Sequence, residues 1–314
     1  MTRLRNILYN RNSFLIAALL SGLLLPWAAQ FTKLYLLYIL MALMSFSLMS
    51  FSTKDLRPFN LVIRPVISVI LLNYILFGGL LMGLAWLFFG SDSNMMAGFL
   101  CIALAPPGVV IVPFSKMIHG DVKYSTLAVL AGYLLLLIIM PVMLYFMEFQ
   151  SGNSMRVIIE MIIMLVILPL FLSRISEYPP VLNRIKPYIG KIINTLFAVI
   201  VYTVIGLNRD IIINNLDVIL LPMLVLSLLL FGGGYLFRLI TIRIAMQEQI
   251  RRSLELIFSV KNTGFAAVLC LALFGEKAAI PSAALSVILL IYLIWLSIKA
   301  KRQTDTPASM GVER

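Results

Sequence analysis

Almost the whole chain is a succession of apolar runs, each long enough to cross a bilayer, joined by short polar links. A helix rises 1.5 Å per residue, so roughly 20 mainly apolar residues span the hydrocarbon core. Ten segments qualify: 13–31, 34–52, 65–89, 95–117, 124–147, 155–175, 188–207, 217–240, 253–275 and 279–298. In hydrocarbon every backbone N–H and C=O has to find its partner within the protein, so such runs are helices. The expectation is an all-α, polytopic membrane protein of ten spans with no extramembrane domain. The basic start and the apolar 13–31 stretch have the outline of a signal peptide. The run is too long for one and further spans follow at once, so it is read as the first span.

Hydrophobic residues make up 61% of the 314 and charged ones 12%, against about 45–50% and about 25% in a soluble domain. The formal charge of +12 would suit nucleic acid if the basic residues shared one exposed face. They lie instead between apolar runs, so the expected partner is the lipid bilayer and not nucleic acid. Counting alternate links, twenty of the 25 lysines and arginines fall on one side and four on the other, with Lys261 left inside a span. Positive charge marks the cytoplasmic side, which places both termini in the cytoplasm, most simply of a bacterial inner (plasma) membrane. Cys101 and Cys270 sit in apolar runs without metal spacing and are read as buried thiols.

Two of the apolar runs are interrupted. One contains Ala105-Pro106-Pro107-Gly108, the other Lys261-Asn262-Thr263-Gly264. Freed backbone groups are tolerated at membrane depth only where they are buried in protein or line a polar cavity. A pair of such breaks at corresponding places in two halves points to the binding site of a secondary transporter. With five spans per half, residues 1–150 form a first repeat and 151–314 a second, of opposite orientation. Pro26 then corresponds to Pro169, and Pro107 to Asn262. The broken fourth and ninth spans enter from opposite sides and are expected to cross at 105–113 and 259–264.

The residues at the crossing carry the chemistry. Half-helix N-termini favour anions. Pro106 and Pro107 remove amide donors, and Gly108 admits backbone conformations closed to other residues. Lys261 lies eight residues past Ser253, about 12 Å into the membrane. A lysine at that depth calls for a partner, a cavity or a substrate. Glu255 is the nearest acid in sequence, but on a continuous helix it points away from Lys261 and shares a face with Ser259 and Asn262. Asn73 is a polar side chain in an otherwise apolar run, and Glu160 is the other acid placed at membrane depth. His119 is read as an ordinary loop residue, and Gly232-Gly233-Gly234 as a close-packing or hinge element. Val109, Val110, Ile111 and Val112 beside the first break suggest a partly hydrophobic substrate.

Ala105-Pro106-Pro107-Gly108 running to Gly120-Asp121-Val122, together with Lys261-Asn262-Thr263-Gly264-Phe265-Ala266-Ala267, resembles the bile acid:sodium symporter family. Ser52 to Arg57 and Pro281 extend the likeness, and the chain is read as a divergent member. The resemblance implies core and panel layers, two sodium sites near the crossing, and organic-anion substrates. Its sodium ligands mostly do not carry over. The family's Thr, Ser and Asn fall on Val110, Val112 and Pro113, and a later Thr on Val129. Its two glutamines become Asn73 and Lys261, and its glutamate falls on Ile257, while Ser125 and Asn262 match. The related arsenite efflux carriers have a cysteine where this chain has Pro107.

The expected function is therefore a secondary transporter of a small or amphipathic organic anion, with Lys261 in place of sodium. The candidate site comprises Lys261, Asn262, Thr263, Pro107, Gly108, Val109, Asn73, Ser125, Glu255 and Ser259. No metal or cofactor is expected, sodium coupling is disfavoured, and proton exchange through the lysine is the companion expectation. Sodium-coupled symport, arsenite-type efflux and a membrane sensor or scaffold are the competing readings. An embedded enzyme such as a prenyltransferase needs clustered carboxylates, and the 13 acids form no such cluster in or beside a span.

Overall fold

A computed structural model describes residues 11–49, 60–146, 159–160, 163–175, 179–207, 209–214, 216–244 and 246–305. Every regular element among them is helical, as a chain made of apolar spans requires. In order these are α1 (Arg11–Leu24), α2 (Ala29–Leu48), α3 (Asn60–Ser68), α4 (Gly79–Phe89), α5 (Ser93–Leu104), α6 (Ile111–Met117) and α7 (Val122–Phe146). There follow α8 (Leu168–Ile175), α9 (Pro179–Leu207), α10 (Arg209–Asn214), α11 (Leu216–Ser227), α12 (Gly234–Arg243), α13 (Glu248–Ser259), α14 (Thr263–Leu273) and α15 (Ile280–Asp305). Wider π-helical turns at Val69–Gly78 and Leu228–Gly233 join α3 to α4 and α11 to α12 without a break, and a third occupies Ile163–Ile167 ahead of α8.

Among the described residues, six helices are long and apolar enough to cross a bilayer: Pro26–Phe46, Val62–Phe89, Val122–Ile139, Arg184–Leu207, Val218–Arg243 and Lys277–Leu296. Two shorter apolar helices, Ser93–Leu104 and Thr263–Leu273, fall below span length because they stop at the breaks. The expected first span, 13–31, ends early: α1 stops at Leu24, Pro26 breaks the chain, and residues 29–31 belong to α2, so the link expected at 32–33 lies inside that helix. The expected sixth lies partly outside the described residues.

The helices pack in two layers. In the first, α1, α2 and α8 gather on the long α9. A Cβ at Gly22 would lie 2.9 Å from the Tyr202 carbonyl and one at Gly206 2.7 Å from Ala29 Cβ, so these small residues let α1, α2 and α9 approach closely. Pro26 separates α1 from α2. The Tyr202 hydroxyl meets the freed backbone there, donating to Leu25 O and accepting from Ala28 N. The second layer holds α3 to α7 and α11 to α15, with α5, α13 and α14 at its centre. Gly233 and Gly234 sit where a Cβ would meet Phe258 at 3.2 Å and the Tyr292 hydroxyl at 2.9 Å, so these two of the three glycines serve close packing. Cys101 and Cys270 are buried free thiols. Glu160 is exposed, and so is His119, which takes a left-handed φ of 56° in the turn after α6.

Candidate functional site

The two breaks meet. After α5 the chain runs extended through Ala105 to Pro107, and after α13 it runs extended through Val260 to Asn262. Pro107 and Lys261 form an isolated antiparallel bridge. Gly108 N donates to Val260 O at 2.9 Å, and Asn262 N donates to Pro106 O at 2.9 Å. Because Pro106 and Pro107 have no N–H, their stretch lends only carbonyls, and the donors come from the residues flanking the pair. A Cβ on Gly108 would approach Lys261 O to 3.0 Å, which is why glycine stands at this close crossing of backbones. Gly132 of α7 plays the same part from below: a Cβ there would lie 2.3 Å from Pro107 Cδ.

Each broken helix leaves C-terminal carbonyls without partners. Lys261 is only 1% exposed, and its ammonium donates to Ala103 O at 2.9 Å, Ala105 O at 3.0 Å and Asn73 Oδ1 at 2.8 Å. An ammonium has three protons, and all three are placed. The rings of Tyr74 and Phe77 add cation–π contacts at 5.0 and 5.3 Å. Asn73 is fully buried at the π-helical turn, and its amide donates to Ile257 O in the last turn of α13. One lysine and one asparagine thus close the ends of both half-helices. Asn262 caps the start of α14, its Oδ1 accepting from Phe265 N at 3.0 Å while its amide donates to the Tyr133 hydroxyl at 2.8 Å.

A cavity of about 600 Å³ lies between the two layers at this point. Leu19, Leu40, Phe197 and Val201 wall it on one side; Gly108 to Val110, Lys261 to Thr263, Ser286 and residues of α15 wall it on the other. Lys261 borders this space with its ammonium committed elsewhere. Thr263, at the first turn of α14, is 2% exposed, and its hydroxyl has no hydrogen-bond partner among the described residues. Polar capacity facing the cavity includes the Thr263 hydroxyl, the Ser286 hydroxyl, which donates to Ser282 O, and the start of α14.

Of the residues singled out in the sequence, Pro107, Gly108, Val109, Lys261, Asn262, Thr263 and Asn73 come together here. Val110 also faces the cavity, but Ile111 is wholly buried in the core. Glu255, Ser259 and Ser125 do not join them through hydrogen bonds. The Ser259 hydroxyl donates back to Glu255 O at 2.6 Å, and the buried Ser125 hydroxyl has no partner among the described residues. The Glu255 side chain looks instead toward Arg238, Arg251, Arg252 and Lys299. Among positions that the resemblance aligns with sodium ligands, Val129 and Ile257 are packed in the apolar core. Tyr133, Gly132, Tyr74 and the cavity wall on α1, α2 and α9 were not foreseen. Gly132-Tyr133 was the one available signal, a small and a polar residue side by side in an apolar run.

A layered helical membrane fold with two broken helices bridged at their breaks is the build of a transporter. Residues 13–299 match the SBF-like CPA transporter family, and the chain belongs to it. It is thus an integral membrane protein of a transporter family related in kind to the bile acid:sodium symporters. Compared with curated proteins, the chain has no significant match.

Proposed function

We propose that the protein is a secondary transporter of a small or amphipathic organic anion, working without sodium because the Lys261 ammonium occupies the cation's place. The carrying observation is the contact of that ammonium with Ala103 O and Ala105 O, carbonyls freed by the break in the first half. A cation held there by a side chain offsets their partial charge at all times, so none has to be recruited from solution. The same geometry weighs against the lysine as a proton carrier, since the neutral amine has one donor fewer than it has acceptors. It also weighs against direct lysine–substrate contact, so the anion is placed at the start of α14, with Thr263 and the helix dipole as its polar partners. The apolar walls of the cavity suit a hydrophobic body attached to the charged group.

This reading includes ten spans, as repeats 1–150 and 151–314 of opposite orientation, with both termini in the cytoplasm of a bacterial inner membrane. The layer of α1, α2, α8 and α9 serves as panel and the other layer as core, the substrate passing between them. Reconstitution in liposomes tests the coupling. A panel of carboxylates, sulfonates and steroid acids is offered with sodium or with choline as the only monovalent cation, and uptake is measured. At least one anion is expected to be carried equally in both. Uptake that requires sodium, or that is confined to cations and neutral compounds, would reject the proposal.

A further inference from the structure

At the basic end of the core layer lies a second recess, of about 340 Å³, remote in character from the apolar cavity. Its charged lining comes from three helices: Arg238 of α12, Glu248, Arg251, Arg252 and Glu255 of α13, and Lys299 of α15. Four cations face two carboxylates. Glu248 is already engaged by both arginines that follow it, and Arg252 also donates to Ile118 O at 2.6 Å. Glu255, 7% exposed, is the carboxylate left to face Arg238 and Lys299. Arg238 and Lys299 make no side-chain hydrogen bond or ion pair among the described residues; Lys299 rests over the Trp295 ring at 4.4 Å.

Such an assembly is short of negative charge. Burial first, and then Arg238, push the Lys299 ammonium below the ordinary lysine range, with Glu255 pulling the other way. Like charges gathered in a partly desolvated recess repel unless an anion sits among them. The forked donors of arginine match the oxygens of phosphate, which offers several strong acceptors and, as a monoester, close to two charges.

We propose that this recess binds a phosphate group, presented by a phospholipid headgroup at the membrane surface or by a free phosphate compound. Its oxygens meet Arg238, Arg251 and Lys299, so one ligand fastens α12, α13 and α15 together. Helix α13 leads straight into the break at Val260, and occupancy of the recess stiffens the half of the crossing that carries Lys261. The proposal is independent of what the apolar cavity transports.

The test uses the purified full chain in neutral detergent at constant ionic strength, reading the thermal midpoint and native mass spectra. Inorganic phosphate, short-chain phosphatidic acid and short-chain phosphatidylcholine are the probes. A saturable rise in midpoint is expected, with the apparent Kd weakened about tenfold in Arg238→Gln and in Lys299→Gln, the loss of one charge-assisted contact. Arg209→Gln, at a distant site where that residue bonds Leu23 O and Asp210, should bind like the parent. A response to inorganic phosphate assigns a free phosphate compound, and a response to phosphatidic acid alone assigns the headgroup. If the glutamine variants do not fold, Arg238→Lys keeps the charge, loses the fork and should bind more weakly than the parent. No response to either phosphate probe, or an unchanged Kd in every folded recess variant, would overturn the proposal.

Discussion

Lys261 is best understood through what surrounds its nitrogen. A buried ammonium is costly in a bilayer, and here it is tolerated because three oxygens and two aromatic faces replace its hydration. Its replacement by glutamine, the residue that the resembling sodium carriers use, tests this arrangement. The amide has two protons for three acceptors and no charge, so at least one of Ala103 O, Ala105 O and Asn73 Oδ1 loses its donor. An unsatisfied buried acceptor costs about 1–3 kcal/mol. Lys261→Gln is therefore expected to fold with a lower thermal midpoint and to lose transport. Added sodium should not restore it, because Val110, Val112 and Val129 supply no oxygen ligands. Recovery of uptake in sodium would count against the tethered-cation reading. Lys261, Asn262 and Asn73 stand out in the chain, since each is a polar residue where hydrocarbon is expected. The setting of Glu255 could not: it depends on Arg238 and Lys299 arriving from other helices.

The half-helices depend on their caps as much as on apolar packing. Asn262 holds the first turn of α14 by accepting from Phe265 N and is itself held by Tyr133 across the layer. Loss of an N-cap side chain costs about 1 kcal/mol, and Asn262→Ala also leaves the Tyr133 hydroxyl without its donor. Tyr133→Phe removes only the second contact and should be the milder change. A thermal-unfolding cycle of the two single variants and the double checks this, with the double expected to resemble Asn262→Ala alone. Strict additivity would mean that the tyrosine does not act through the cap. Both breaks are visible in sequence because proline, glycine and asparagine interrupt apolar runs. The bridge between them is less so, since it takes two segments more than 150 residues apart. Gly132 shows the same limit, because its smallness is explained only by a proline on another helix.

Between the layers, the described residues include one ion pair at the end opposite the basic recess: Lys33 of α2 with Glu276 ahead of α15, at 2.6 Å. With side chains 37% and 42% exposed, such a pair contributes little to stability, about 0–1 kcal/mol and less in salt. Its interest lies in where it acts, since motion of one layer against the other has to part it. Lys33→Gln should leave the thermal midpoint nearly unchanged while raising access to the cavity. Labelling of a cysteine at Ser286 by an impermeant thiol reagent, added from the Lys33 side, measures that access. Faster labelling in Lys33→Gln, restored to the parental rate by the exchange Lys33→Glu with Glu276→Lys, is the expected result. Equal rates in all three would show that the pair closes nothing. The helical class and the membrane setting were legible from segment lengths. The layering was not, because apolar faces that meet lipid and those that meet protein look alike in sequence.

The bridge at the crossing also dictates an order of assembly. Pro106 O and the carbonyls at 103 and 105 receive their donors from Lys261 and Asn262. A ribosome has therefore to make most of the chain before the first break can be closed. Until then the newly inserted first half carries unfilled carbonyls at membrane depth, where lipid offers them nothing. The last third of the polypeptide is what turns that half from a provisional insertion into a settled one, so biogenesis is completed from the C-terminal side.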